Sequence, residues 1–229
     1  MKTIGLIGGL TWHSTLDYYR ILNELANDRL GGDETAKVII YSVNFGEIKY
    51  LTQKGQWNDI AVVLSKAAQN LEKAGAHCLM IGANTMHKVS IEIEQTVKIP
   101  LIHVAKEVAN EIARHNIKKV GLLGTKYTMQ LPFYKEMLER TNIEVIIPEK
   151  VNIKQVDDFI YSELAKGIYT PTTKTYFTDV INQLKLKGAE GIILGCTEIP
   201  ILLKDEKLPI PVFDTTRIHC QAAIDFVLS

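Results

Sequence analysis

Gly75-Ala76-His77-Cys78-Leu79-Met80-Ile81-Gly82 and Gly188-Ala189-Glu190-Gly191-Ile192-Ile193-Leu194-Gly195 are two copies of one pattern: a Gly-Ala opening, a short apolar run and a closing glycine. Such a run, rich in Ile, Leu and Val and ending at a turn residue, suits a parallel strand buried on both faces. Two further blocks recur in the same order. Gly5-Leu6-Ile7-Gly8 matches Gly121-Leu122-Leu123-Gly124, and Pro100-Leu101-Ile102 matches Pro211-Val212-Phe213, with all offsets between 111 and 116 positions. Any one block is commonplace in α/β proteins; the ordered set points to a duplicated α/β unit.

Around these blocks, apolar runs alternate with amphipathic stretches along the whole chain. The runs are Thr3–Ile7, Val38–Val43, Cys78–Ile81, Leu101–Val104, Val120–Leu123, Val145–Ile147, Gly191–Leu194 and Pro211–Phe213. Among the intervening stretches, Thr15–Arg29 reads as a helix capped by Ser14 or Thr15, and Ile60–Ala74 and Lys106–His115 read the same way. The alternation predicts an α/β fold with two similar domains, each a parallel sheet flanked by helices, related by a pseudo-two-fold duplication. The expected domains are residues 1–100 with a returning C-terminal segment 211–229, and residues 101–210. Ligands of open α/β sheets bind outside the carboxyl ends of the strands. Two facing halves would therefore share one cleft, approached by equivalent residues from opposite sides. At the offset of the first block, the counterpart of Cys196 is Ala83.

Bulk properties exclude several classes. The chain has 229 residues, 46% apolar and 23% charged, with 26 basic and 26 acidic side chains. A balanced charge favours neither nucleic acid nor an anionic membrane. The opening MKTIGLIGGL has too short an apolar core for a secretory leader, and no run reaches the length of a membrane span. Three cysteines, Cys78, Cys196 and Cys220, argue against a disulfide framework and for a cytoplasmic location. The six histidines show no metal-site spacing.

The chemistry-bearing residues sit just after the apolar runs. Cys196 lies in Gly195-Cys196-Thr197-Glu198-Ile199-Pro200, where a turn into a short helix is expected. Backbone N–H groups at such a start would favour a thiolate. Glu198 could accept a proton or orient a neighbour; the bland alternative is a buried, inert cysteine. Cys78, within a run, and Cys220, within a helix, read as inert. Ala83-Asn84-Thr85-Met86-His87 is the matching segment, with Asn84 and Thr85 as donors for an anion. His87 is either an acid/base or a residue that caps a turn. Gly8-Gly9-Leu10-Thr11-Trp12-His13-Ser14-Thr15 is a strand-to-helix turn that could hold a carboxylate and lacks P-loop or dinucleotide spacing; tight strand–helix packing is its alternative role. Gly124-Thr125-Lys126-Tyr127-Thr128 is the matching turn, where Thr125 and Thr128 could donate to a carboxylate or cap a helix. Lys166 and Arg217 are candidate carboxylate partners.

Four blocks together, IGLIGGLTWHST, ANTMHK, GLLGTKYTM and GCTEIP, resemble the aspartate/glutamate racemase family, in order and over nearly the whole chain. The resemblance implies two α/β domains across a cleft, a homodimer, a small acidic amino acid as substrate, and neither pyridoxal phosphate nor metal. It also implies two bases, because inversion at Cα removes a proton on one face and delivers it on the other. By resemblance, Cys196 is one base, and Asn84, Thr85, Thr125, Thr128 and Thr197 contact substrate carboxylates, with Thr11 and Ser14 in support. Lys166 resembles a basic residue that meets the side-chain carboxylate in aspartate-specific relatives. The departure is Ala83, where the family usually has the other cysteine; it reads as an engineered replacement of a catalytic cysteine, and it predicts a racemisation-deficient form. Two other readings are a single-cysteine decarboxylase of the arylmalonate type and a non-catalytic cytoplasmic amino-acid-binding module.

Overall fold

A computed structural model describes all 229 residues, Met1–Ser229. The chain divides into two compact units: Met1–His103 with His219–Ser229, and Val104–Ile218.

In the first unit, strand β1 (Ile4–Gly8) leads into helix α1 (Trp12–Leu30), β2 (Val38–Ser42), α2 (Phe45–Gln53), α3 (Trp57–Lys73) and β3 (Cys78–Ile81). A 3-10 turn (Thr85–Val89) and α4 (Ser90–Glu94) follow. The sheet order is β2-β1-β3, all parallel, with Ile4 opposite Val38 on one side and Cys78 on the other. Both faces of this sheet are covered, so its central strands are apolar at every position rather than at alternate ones. Ile4, Leu6, Cys78 and Met80 pack with α1 residues Tyr18, Leu22 and Leu25. Ile7, Leu79 and Ile81, on the opposite face, pack with α3 residues Ile60, Leu64 and Leu71. The expected strand Leu101–Val104 shrinks to a single parallel bridge from Leu101 to Leu79, because α5 (Val104–Arg114) already begins at its last residue.

The second unit begins with α5 and continues through β4 (Lys119–Gly124), α6 (Lys126–Gln130), α7 (Pro132–Glu139), β5 (Glu144–Ile146) and α8 (Lys150–Ser162). After a 3-10 turn (Leu164–Lys166) come α9 (Pro171–Leu186), β6 (Gly191–Gly195), α10 (Ile199–Leu202) and β7 (Val212–Asp214). The order β5-β4-β6-β7 is again all parallel. Its core includes Val108, Ile112, Leu122, Val156, Phe177, Ile181 and Ile193, all buried.

Helix α11 (Thr215–Leu228) starts in the second unit and supplies Cys220, Ala223, Ile224 and Val227 to the core of the first. The expected return of the chain at residue 211 is therefore displaced to 219. The reason is register: Ile192 lies opposite Val212 and Ile193 opposite Phe213, which keeps the Pro211–Phe213 run in the second sheet. The cap of α1 also differs from expectation. Thr11 accepts from the Ser14 backbone N–H at 3.1 Å, so the helix starts at Trp12 and takes in Ser14 and Thr15.

Candidate functional site

The first unit gathers Thr11, Ser14, Ala83, Asn84 and Thr85 beyond the carboxyl ends of β1 and β3. Gly9, at φ +76°, turns the chain sharply, and its N–H donates to Thr15 Oγ1 at 2.8 Å. The Thr15 hydroxyl donates in turn to Thr11 O at 2.9 Å, which closes the turn. Ser14 Oγ donates to Gly82 O at 2.8 Å, and the Gly82 N–H donates to Ile7 O, so the two strand ends are tied together. The Ser14 proton expected on a ligand is thus engaged by the protein itself. Asn84 and Thr85 are buried and Ala83 is half-buried.

In the second unit, Thr125 and Thr128 lie beyond β4, and Cys196, Thr197 and Glu198 beyond β6. Thr125 caps α6, accepting from the Thr128 N–H at 3.3 Å, with the two hydroxyls also 3.3 Å apart. Thr125 thus serves the capping role that was the alternative expected of it. The Lys126 N–H, next along the turn, donates to Asp157 Oδ1 of α8 at 2.8 Å.

Glu198 organises the end of β6. One carboxylate oxygen, Oε2, receives the Cys196 thiol at 3.1 Å and the Thr197 hydroxyl at 2.6 Å. All three residues are buried, Cys196 being 9% exposed and Glu198 3%. The expectation of a readily formed thiolate is overturned. Burial pushes the Cys196 thiol well above its ordinary value, and the Glu198 carboxylate pushes it further, through its charge and its hydrogen bond; Asp157 adds to this. The Glu198 backbone N–H acts in the opposite sense but is outweighed. The helix that was to favour the anion, α10, has four residues and starts three positions beyond the sulfur. The thiol is the resting form, with a carboxylate in position to take its proton.

Asp157 and Tyr161, one turn apart on α8, complete this surrounding. Burial raises the Asp157 carboxyl, offset by the Lys126 N–H and ammonium. Burial also raises the Tyr161 phenol, with Asp157 and Cys196 adding. Sequence reading missed both. The available signal was a carboxylate within the apolar stripe Ile153, Val156, Ile160 of an amphipathic helix. Lys166 is exposed at the end of its 3-10 turn and forms no ion pair. Arg217 is exposed too, its backbone N–H donating to Asp214 Oδ1. Cys78 and Cys220 are fully buried in the first unit's core, as expected of inert thiols. None of the three cysteines is in a disulfide.

This architecture and sequence match known proteins throughout. The model of the Asp/Glu/hydantoin racemase family matches residues 7–223, and the chain belongs to that family. It is 46% identical to a provisionally assigned Asp/Glu racemase of Yersinia pestis, with 100% of both chains covered and a TM-score of 0.92. It is 35% identical to an aspartate racemase homologue of Pyrococcus horikoshii OT3, again with 100% of both chains covered, at a TM-score of 0.86. Among characterised sequences it is similar to the broad specificity amino-acid racemase RacX of Bacillus subtilis, 24% identical over 99% of this chain and 98% of that one. No helix of the protein is long and apolar enough to cross a membrane.

Proposed function

We propose that the protein acts on the Cα proton of an acidic amino acid, aspartate foremost, by side-chain proton transfer independent of pyridoxal phosphate, with Cys196 as one acid/base. The observation that carries this reading is the buried Cys196–Thr197–Glu198 arrangement, in which a thiol donates to a carboxylate at 3.1 Å. Transfer of the thiol proton to Glu198 leaves a desolvated thiolate. The thiolate takes the proton from Cα, and the electron pair left behind spreads onto the substrate's α-carboxylate. Reversal of both transfers restores the starting state. Hydroxyl and amide donors stabilise the charge that develops on that carboxylate, a role we assign to Asn84, Thr85, Thr125 and Thr128. Aspartate is favoured by the 35% identity to the Pyrococcus horikoshii aspartate racemase homologue.

Inversion needs a second proton carrier on the other face of Cα, and Ala83 offers only a methyl group. The protein therefore exchanges the α-proton of one enantiomer and does not invert it, and an Ala83→Cys variant inverts. Incubation with L- and D-aspartate separately in D2O, followed by NMR and chiral separation, tests this. Deuteration of one enantiomer with retained configuration is expected, lost in Cys196→Ala. No deuteration of aspartate or glutamate by either form would sink the reading.

A further inference from the structure

Three histidines far apart in sequence meet in the interior of the first unit. His87 lies in the turn after β3, and its ring centroid is 4.7 Å from that of His103 and 5.5 Å from that of His219. All three are buried, His219 completely. His103 and His219 are the residues at which the chain leaves this unit and re-enters it.

The hydrogen bonds fix the tautomers, because a carbonyl only accepts. His87 Nδ1–H donates to Ala83 O at 3.0 Å. His219 Nε2–H donates to Ile102 O at 2.7 Å, so its Nδ1 accepts from the Tyr18 hydroxyl at 2.9 Å. Both nitrogens of His219 are occupied, which leaves it no lone pair for a metal. The His87 backbone N–H also donates to Asn84 O, so the residue grips the candidate turn by ring and by main chain.

We propose that His87 is the positioning residue of the Ala83–Asn84–Thr85 turn, and that the buried cluster of His87, His103 and His219 makes this turn release in acid. The turn that the first unit offers to its substrate is then held only while the cluster is uncharged. The substrate rests on the function proposed above; the release does not.

A charge on His87 meets the rings of His103 and His219 in a buried space. Burial holds His87 well below its ordinary value, and His103 and His219 lower it further. Burial brings His219 down to about 4. Tyr18 from α1 meets His219 through its hydroxyl, and Cys220, next to His219 on α11, donates its thiol proton to Tyr18 O at 3.9 Å. α3 contributes the apolar Ile60 and Leu64 to the cluster that holds Met86 and Val89.

The test combines imidazole 15N NMR, amide hydrogen exchange and titration with L-aspartate between pH 7 and pH 5. In the unaltered protein, His87 is expected as the Nδ1–H tautomer and His219 as the Nε2–H tautomer at pH 7, with neither titrating at its ordinary value. As the pH falls, the Asn84 and Thr85 amides should lose protection about tenfold, and L-aspartate affinity should weaken with them. His87→Asn keeps an N–H near Ala83 O without a charge to gain, so the Asn84 and Thr85 amides of this variant should be equally protected at pH 7 and pH 5. His87→Leu should speed exchange of both amides about tenfold at pH 7. The proposal is overturned by a His87 ring that titrates near 6.5, or, in the unaltered protein, by turn amides equally protected at both pH values. Expected amide behaviour without L-aspartate binding at pH 7 would leave the release standing and remove the proposed substrate.

Discussion

The end of β6 shows how a single side chain can set the chemistry of its neighbours. Glu198 Oε2 accepts from both Cys196 and Thr197, and its charge follows burial as the leading cause of the raised thiol. Glu198→Gln removes that charge while keeping the side chain's size. The thiol should then ionise at lower pH, and each unit of lowering multiplies the thiolate fraction about tenfold. Alkylation of Cys196 as a function of pH, located by peptide mass spectrometry, reads this out, with the buried Cys78 and Cys220 as internal references. A Gln variant whose profile coincides with the parent's would show that burial alone controls the thiol. Where the candidate residues lie was legible in the sequence, since Cys196 and Thr125 in one unit, and Asn84 and Thr85 in the other, follow apolar runs where strands end. The polarity around Cys196 was not. Whether a thiol beside a turn is lowered by backbone N–H groups or raised by a carboxylate depends on where the Glu198 side chain points. Asp157 and Tyr161, and the association of His87 with His103 and His219, arise only when distant segments fold together.

Among the elements, the strands were the most legible. Burial on both faces makes β1, β3, β4 and β6 apolar apart from Lys119 at the start of β4, and their expected limits hold to within one residue at each end. The start of α1 was harder, because Trp12 and His13 carry no amphipathic signal; Trp12 is 62% exposed and stacks on His13. The turn before it makes a sharp test. A Cβ on Gly9 would stand 2.1 Å from Val43 O and 2.6 Å from Val43 N, at a φ of +76°. Gly31 has the same φ but nothing within 4 Å. Gly9→Ala should therefore cost about 2–4 kcal/mol and Gly31→Ala about 1 kcal/mol. Thermal unfolding should show a fall of roughly 5–15 °C for the former and a few degrees for the latter. Equal losses would mean that the approach of Val43 relaxes freely.

For the whole molecule, buried titratable groups bound the pH range of stability from both sides. His219 ordinarily titrates at 6.5 and is held to about 4 by burial. Between those values the unfolded chain takes up a proton that the folded chain refuses, so stability falls as the pH drops. His219 alone accounts for on the order of 3 kcal/mol, and His87 adds to the same side. Cys78 ordinarily titrates at 9.0 and is pushed up to about 12, again by burial. There the unfolded chain releases a proton that the folded chain keeps, so stability falls as the pH rises beyond 9. Urea midpoints should peak between about pH 6.5 and 9 and decline at pH 5 and pH 10. An unchanged midpoint at pH 5 would show that the histidines are protonated in the folded protein.

The split composition of the first unit bears on how the protein is made. Ribosomes deliver the chain from its amino end, and residues 104–218 form a unit with a sheet and core of their own. That middle part is continuous in sequence and closes its core with its own residues. The first 103 residues, though translated earlier, wait for Cys220, Ala223, Ile224 and Val227 to fill their interior. The part of the molecule made first thus keeps an apolar face open until a segment made after the whole of the other unit reaches it.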